Sequence, residues 1–397
     1  MADASGTETV THSQPERKLL TPFNIIAAII IIVGLPLTYI RFTKGLGPVT
    51  NLDDSNPWGF WIGFDLLCGV ALAAGGYVTS AAVYIFGLKK YQSAVRPAIL
   101  TGFLGYFFFA IALIYDLGRP WRIPYPYSIS PGPNSVMFEV GLCVMLYLTV
   151  LFIEFSPAAM EWLGLKRARK IVLRLTITLT IFGVLLSTLH QSSLGAMFLM
   201  FPSKIHPLWY SPIMHIYFFI SSIFAGLSMV IFEGSLTHHF YRDELDEHHH
   251  KEFDQVVLGF SKAAAMVLAS YFMIKIVGVA MENHWHLLFT GWGLWYLLEI
   301  VGFVLLPCFM FTIGYREKNL LLLKIAAVIT VIGIVLNRLN VSVIAFNWQL
   351  PADERYFPHW MELWISAFIV TLFIVVFRFI IRKMPILQAH PDYPDGH

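Results

Sequence analysis

The chain alternates between long apolar stretches and short polar connections. A helix needs about 20 mostly apolar residues to cross a hydrocarbon core of about 30 Å. Stretches of this kind lie near 22–43, 57–87, 96–117, 134–156, 171–196, 211–237, 259–282, 291–313, 320–346 and 360–381. The pattern therefore predicts an all-α integral membrane protein with ten transmembrane helices. Its transmembrane domain covers 22–383, between an N-terminal tail (1–21) and a C-terminal tail (384–397).

Composition agrees with this class and excludes others. Of the 397 residues, 57% are hydrophobic and 13% charged, and the mean hydropathy is +0.66, whereas soluble proteins carry about 25% charged residues. The net charge of +2 is small and dispersed, which excludes a nucleic-acid-binding surface. Cys68, Cys143 and Cys308 each stand alone, so neither an iron-sulfur cluster nor a c-type haem is expected. We also interpret the run His248–His250 as solvated loop and predict no metal site.

The distribution of Lys and Arg predicts how the chain is oriented across the membrane. Lys and Arg are concentrated in both tails and in alternate connections, whereas the opposite connections hold Lys44, Arg119, Arg122, Lys204 and Arg355. Because cytoplasmic loops are enriched in Lys and Arg, both termini are predicted to be cytoplasmic in a bacterial inner membrane. The opposite connections are then periplasmic, and they are rich in Trp, Tyr and Pro. These aromatic residues indicate either an ordinary membrane interface or a docking surface for a peripheral partner.

Several ionisable side chains interrupt the apolar helices at a similar depth. Asp65 lies eight residues beyond Pro57, or about 12 Å into its helix at 1.5 Å per residue. Comparable positions in five other helices hold Glu139, His190 with Gln191, His215, Lys275 and Arg338. Such side chains are costly in a membrane unless they are paired or hydrated, so a shared layer favours a functional site. The alternative for each residue is a structural role, such as Arg338 neutralising Glu139 or Asp65, or an ion pair of Asp116 with Arg119.

The chemistry of this layer suits a membrane quinone. Quinone reduction takes two electrons and two protons, so the carbonyl oxygens need a donor such as His190 and proton-exchanging carboxylates such as Asp65 and Glu139. The rest of such a pocket can be apolar. In the inner half, Glu154 and Glu233 lie near the cytoplasmic helix ends and Glu299 lies about mid-membrane. These acids form a possible proton path with Ser187, Thr188, Ser221 and Ser222, although Glu154 can equally belong to a helix end.

Two other functions fit parts of this pattern. A b-type cytochrome would bind one haem at most, since His190 and His215 are the histidines predicted within helices. A secondary transporter would place its polar site near the middle of the membrane, whereas this layer is displaced toward the predicted periplasmic side.

Several motifs resemble one known family, the NrfD or polysulfide-reductase-type membrane subunits, and within it the ten-helix HybB-like branch attached to periplasmic NiFe-hydrogenases. The resemblance covers nearly the whole chain. The motifs are PWGFWIGFDLL (57–67), VRPAILTGFLGY (95–106), NSVMFE (134–139), TLHQSSLG (188–195), HPLW (206–209), IFEGSL (231–236), AFNW (345–348) and YFPHWMEL (356–363).

The resemblance implies a subunit that contains neither haem nor iron-sulfur cluster and is not catalytic alone. It would exchange electrons between menaquinone or ubiquinone and a periplasmic four-cluster ferredoxin-like protein. That partner would connect it to a hydrogenase, a molybdopterin enzyme or a multihaem cytochrome. The family's arrangement is two four-helix bundles plus flanking helices, with a quinone pocket near the periplasm. Asp65, Glu139 and His190 lie in matching motifs, whereas His215 and Lys275 do not.

Overall fold

The structure is a computed structural model that describes residues 21–56, 58–242, 245 and 247–387. Most of the two predicted tails, 1–20 and 388–397, lies outside these residues. The described part is helical, and its β-structure is limited to an isolated bridge between Ile205 and Phe346. Within it, ten helices are long and apolar enough to span a membrane. The predicted all-α membrane class and the number of spans are therefore confirmed.

The ten helices are numbered here in chain order. They are α1 Pro22–Lys44, α2 Trp61–Ile85, α3 Lys89–Asp116, α4 Val136–Trp162, α5 Lys166–Met200, α6 Met214–Phe240, α7 His249–Met281, α8 Gly291–Glu317, α9 Leu320–Ile344 and α10 Trp360–Lys383. Several extend beyond the apolar stretches, because polar turns outside the hydrocarbon core remain helical. His249 and His250 illustrate this, since both lie in the first turn of α7 and are half-buried. Their interpretation as solvated loop is wrong.

The second helix forms the centre of the molecule. Of the most apolar 18-residue stretch of α2, 83% is buried, against 17% of the corresponding stretch of α1. It packs against α3, α5, α6 and α9, while α4 to α8 each contact the next helix along the chain. The outer helices α1 and α10 contact each other, and α10 also packs on α3. The grouping into two four-helix bundles and the cytoplasmic location of both termini stay predictions.

Five connections lie at one end of the bundle, and we call this end the loop-rich face: 45–60, 117–135, 201–213, 282–290 and 345–359. Three of them interlock. The Asn347 amide nitrogen donates to the carbonyl oxygen of Ser55 at 2.8 Å, and the Asn347 backbone N–H donates to the Lys204 carbonyl at 2.6 Å. The Asn51 side chain donates to the Phe357 carbonyl at 2.9 Å. This end is therefore an ordered cap over the helices, which closes the bundle above the polar layer.

Helices α2 and α6 cross with their backbones in direct contact. A Cβ atom at Gly226 would lie 2.7 Å from the backbone of Ala74 and Gly75. Since backbone atoms cannot move aside as a flexible side chain can, this crossing requires glycine.

We expect Gly226→Ala to lower the stability of the purified protein by about 1–3 kcal/mol, the usual cost of overpacking a close-packed interior. Gly302→Ala in α8 is the matched control, because the nearest atom to its new methyl group would be a Leu298 side-chain carbon at 3.7 Å. Thermal unfolding in detergent measures both variants. Equal melting temperatures for Gly226→Ala and wild type would contradict the close α2–α6 crossing.

Candidate functional site

The polar residues of the predicted layer do not form one pocket. They separate into three clusters around α2, each held by different helices. We name them after one residue each: the His190 cluster between α3, α4 and α5, the Asp65 cluster between α2 and α10, and the Glu299 cluster between α6, α7, α8 and α9. A shared depth along the sequence therefore did not mean shared contacts.

The His190 cluster contains Glu139 and His190 as anticipated, together with Ser193. The Ser193 hydroxyl donates to the Glu139 carboxylate at 2.5 Å. His190 lies one helical turn before Ser193 on α5 and is fully buried, beside the backbone of Val140 on α4. Gln191 is buried as well, but its amide nitrogen donates to the Val70 carbonyl of α2 at 3.0 Å. Gln191 thus joins α5 to α2, while Glu139 and His190 lie along the α4–α5 contact.

Buried polar atoms without protein partners are concentrated beneath Glu139. Both ring nitrogens of His190, the hydroxyls of Tyr106 and Tyr147, and the Ser187 hydroxyl have no hydrogen-bond partner among the described residues. Native interiors pair nearly all such groups with protein or with ordered water. This region of α3, α4 and α5 is therefore polar and suited to hold water or a ligand oxygen.

Glu139 has access to the surrounding lipid. It is an exposed residue in the first turn of α4. Exposed apolar side chains lie close to it on both helices: Met137 of α4 is 52% accessible, and Leu189 of the neighbouring α5 is 50% accessible. A carboxylate at the rim of an apolar surface, with a buried imidazole behind it, can accept a hydrophobic molecule that carries hydrogen-bonding oxygens.

The Asp65 cluster lies on the other side of α2. Asp65 is in a π-helical turn, Trp61–Cys68, and accepts a hydrogen bond from the Ser366 hydroxyl of α10 at 2.5 Å. One turn before Ser366, the buried Glu362 accepts bonds from the Asn51 and His359 backbone N–H groups and from the Tyr356 hydroxyl. Burial, and then the adjacent Glu362 carboxylate, raise the pKa of Tyr356 well above its ordinary value, so Tyr356 remains a donor. No hydrogen bond of the described residues connects Asp65 with Glu139 or His190.

The Glu299 cluster is the most extensively hydrogen-bonded of the three. Glu299, in a π-helical turn of α8, accepts from the Trp209 indole at 2.7 Å, from the Asn337 amide at 2.7 Å and from the Asn340 amide. Arg338 donates to Asn337 at 2.8 Å and to the Ser221 hydroxyl at 2.7 Å. Arg338 therefore belongs to this network and pairs with neither Glu139 nor Asp65.

Lys275 completes this cluster from α7. Its ammonium group is buried and lies 4.5 Å from the ring centre of Tyr217 and 5.6 Å from that of Tyr296, both at cation-π distance. It faces a small pocket that also contains Ser211 and His284.

Glu299 lies closer to the loop-rich face than the sequence indicated. Trp209, which bonds it, belongs to the connection 201–213. Glu299 therefore joins the layer of Lys275 and Arg338, and its contacts do not place it on an inner path with Glu154 and Glu233.

The remaining candidates lie apart from these clusters. His215 is half-buried in the first turn of α6, and no aromatic ring contact joins it to His190 in the described chain. Glu154 accepts a hydrogen bond from the Thr180 hydroxyl of α5 at 3.1 Å. Glu233 lines a separate, largely apolar cavity near the opposite face with Thr237 and His238. Asp116 faces Arg41 of α1, so its interpretation as an ion pair with Arg119 is not supported.

The aromatic residues of the loop-rich face differ in exposure. Trp121 and Trp360 are exposed, at 67% and 54%, whereas Trp209 is completely buried. His206 packs between Trp209, Trp292 and Trp348, with ring centres 4.7–5.5 Å away. Burial lowers the pKa of His206 to about 4, so its ring is neutral near pH 7. Part of the predicted docking surface is therefore the interior of the cap.

Sequence reasoning missed several residues of these clusters. The sequence did not single out Glu362, Asn337, Asn340 or Tyr147, although Glu362 lies within a motif quoted above. The signal for Glu362 was an acid in the first turn of an apolar helix, which resembles an ordinary cap. As for metals, no group of three or more His, Cys, Asp or Glu suited to hold an ion is found in the described ranges.

Comparisons with known proteins give consistent results. The family model for polysulphide reductase NrfD matches residues 48–346. A protein of Nitratidesulfovibrio vulgaris is 64% identical over 97% of this chain and all of its own length. The probable Ni/Fe-hydrogenase 2 b-type cytochrome subunit of Escherichia coli is 32% identical over 90% of both chains. The integral membrane subunit of menaquinone reductase from N. vulgaris is 27% identical over 95% of both chains.

Proposed function

Because the chain belongs to the polysulphide reductase NrfD family, we propose that it is a membrane subunit of a respiratory oxidoreductase and reacts with menaquinone or ubiquinone. Two relatives support this, since one is a hydrogenase subunit and the other a menaquinone reductase subunit. The ten spanning helices place the subunit in a membrane.

The observation that carries the proposal is the His190 cluster. It joins a carboxylate exposed at the rim of an apolar surface to a buried imidazole without a protein partner. Glu139 would exchange protons with one quinone carbonyl, and His190 would donate a hydrogen bond to the headgroup. The isoprenoid tail would lie along the apolar surface that includes Met137 and Leu189.

Electrons would cross the loop-rich face, which we propose is periplasmic. The His190 cluster lies toward this end, and cysteine pairs that could carry a cluster are lacking in the sequence. A periplasmic iron-sulfur protein docked on exposed residues such as Trp121 would supply or accept the electrons, and a hydrogenase, molybdopterin enzyme or multihaem cytochrome would complete the complex.

Photoaffinity labelling of the native complex with an azidoquinone tests the site. We expect labelled peptides from the first turns of α4 and from residues 186–197 of α5, with labelling suppressed by excess unmodified quinone. Competitive labelling confined to helices α6–α9 would overturn the assignment and favour the Glu299 cluster.

We further propose that the subunit works without its own haem. The His190 ring packs against Tyr106 at 5.6 Å, and no ring contact joins His190 to His215 among the described residues. An optical spectrum of the purified complex, with its haem-containing partners accounted for by mass spectrometry, tests this. One b-type haem per copy of this chain would contradict the proposal.

A further inference from the structure

A row of buried hydroxyl groups, those of Tyr106, Ser187 and Tyr147, leads from His190 away from the loop-rich face. We call this row the file. The Tyr106 ring lies 5.6 Å from the His190 ring and 4.6 Å from the Tyr147 ring. The Ser187 hydroxyl lies beside both tyrosine hydroxyls. These four residues are at most 1% accessible, and none of their side-chain polar atoms meets another described group at full hydrogen-bonding distance and angle.

Glu154 continues this file toward the opposite face. It lies two turns beyond Tyr147 on α4, and Gly183 of α5 lies between the two. A Cβ atom at Gly183 would be 3.7 Å from the Tyr147 ring and 3.9 Å from Glu154 Oε2. The absence of a side chain at Gly183 thus leaves both groups facing the same small space. Glu154 also lines a cavity with Tyr84, Pro157 and Thr176 in the half of the helices away from the loop-rich face.

We propose that this file carries protons from the opposite face to the quinone at Glu139 and His190, through Glu154, Tyr147, Ser187 and Tyr106. The inference rests on the proposed function, because it assigns the source of the two protons that a quinone takes up with two electrons. Water bridging the unpartnered hydroxyls supplies the missing hydrogen bonds, and proton exchange along them leaves each residue unchanged after turnover.

The file also distinguishes between the inner carboxylates. Glu233 lines a different cavity, and its buried Oε1 has no partner among the described residues. Its carboxylate lies beside the Thr101 hydroxyl of α3. The proposal therefore places Glu154 on the path and leaves Glu233 outside it.

Tyr147→Phe separates proton transfer from folding. A buried hydroxyl without a protein partner contributes little to stability, so its removal leaves the fold near wild type. Tyr115→Phe is the matched control, since Tyr115 is a buried tyrosine of α3 whose hydroxyl is bonded to Thr38 at 2.9 Å, away from the file. Gly183→Ala is a second test, because its methyl group fits without close contact but fills the space beside Glu154.

The experiment uses the native complex in liposomes with the loop-rich face outward, pyranine inside, and a reduced viologen dye outside as electron donor to a quinone analogue. We expect wild type to make the lumen alkaline as quinol forms. Tyr147→Phe, Gly183→Ala and Glu154→Gln should slow lumenal proton uptake at least about tenfold, with unchanged quinone affinity. Added azide, a small weak acid, should partly restore Glu154→Gln.

The possible results separate failure of the proton path from failure of the proposed function. If wild type reduces quinone but takes protons from outside, or if Tyr147→Phe matches Tyr115→Phe, the file is not the path. If Glu233→Gln blocks uptake and Glu154→Gln does not, the inner end is assigned wrongly and the inference is overturned. If wild type does not react with quinone at all, the proposed function itself fails.

Discussion

We expect Glu139→Gln to lower quinone turnover by the native complex about a hundredfold, which is the usual contribution of a positioned proton-transfer group. Glutamine keeps an oxygen that can accept the bond from Ser193, now 2.5 Å long, so α4 and α5 remain joined. It cannot release a proton to the quinone carbonyl. The measurement is steady-state quinone reduction, compared with reduction of a dye at the partner subunit, which stays unchanged.

The matched control for Glu139 is Glu282→Gln. Glu282 is also an exposed acid at the loop-rich face. It lies in the connection between α7 and α8, whereas the His190 cluster is held by α3, α4 and α5. We expect it to leave turnover unchanged. Wild-type turnover in Glu139→Gln, with quinone bound normally, would exclude Glu139 from proton exchange.

Glu299→Ala produces the largest loss of stability that we expect from a single substitution. It leaves the Trp209 indole and the amides of Asn337 and Asn340 without their acceptor. Unsatisfied buried donors cost about 1–3 kcal/mol each, and Arg338 loses a neighbouring negative charge. We expect a decrease of about 3 kcal/mol or more, which for a chain of 397 residues is roughly 4 °C or more in melting temperature.

Glu317→Ala is the control on the same helix, since Glu317 ends α8 as an exposed residue. Thermal unfolding of the detergent-solubilised protein measures both. If Glu299→Ala melts with wild type but stops quinone turnover, Glu299 has a functional role and its network is not what holds α8 and α9 together.

The two carboxylates show why identical residue types differ in role. Glu139 and Glu299 occur in similar apolar sequences, FEVG and LEIVG. Glu139 is exposed and has one side-chain donor, Ser193, whereas Glu299 is buried and surrounded by donors from α9 and the cap. A carboxylate enclosed by donors has little room to exchange protons with a ligand, while one at the lipid boundary can meet it. Burial by other helices decided this difference.

The sequence by itself determined the membrane class, the ten spans and the family, because hydrocarbon thickness imposes a length and composition on each helix. It also singled out Glu139 and His190 as candidates, since ionisable residues are conspicuous among apolar ones. It could not group them. Helix rotation decides which side chains meet at a given depth, and only the packing around α2 separated Asp65, with Ser366, from His190 and brought Arg338 to Asn337 and Ser221. The tyrosine hydroxyls beside His190 were invisible for the same reason: tyrosine is common in apolar helices, and its significance here comes from neighbours supplied by other helices.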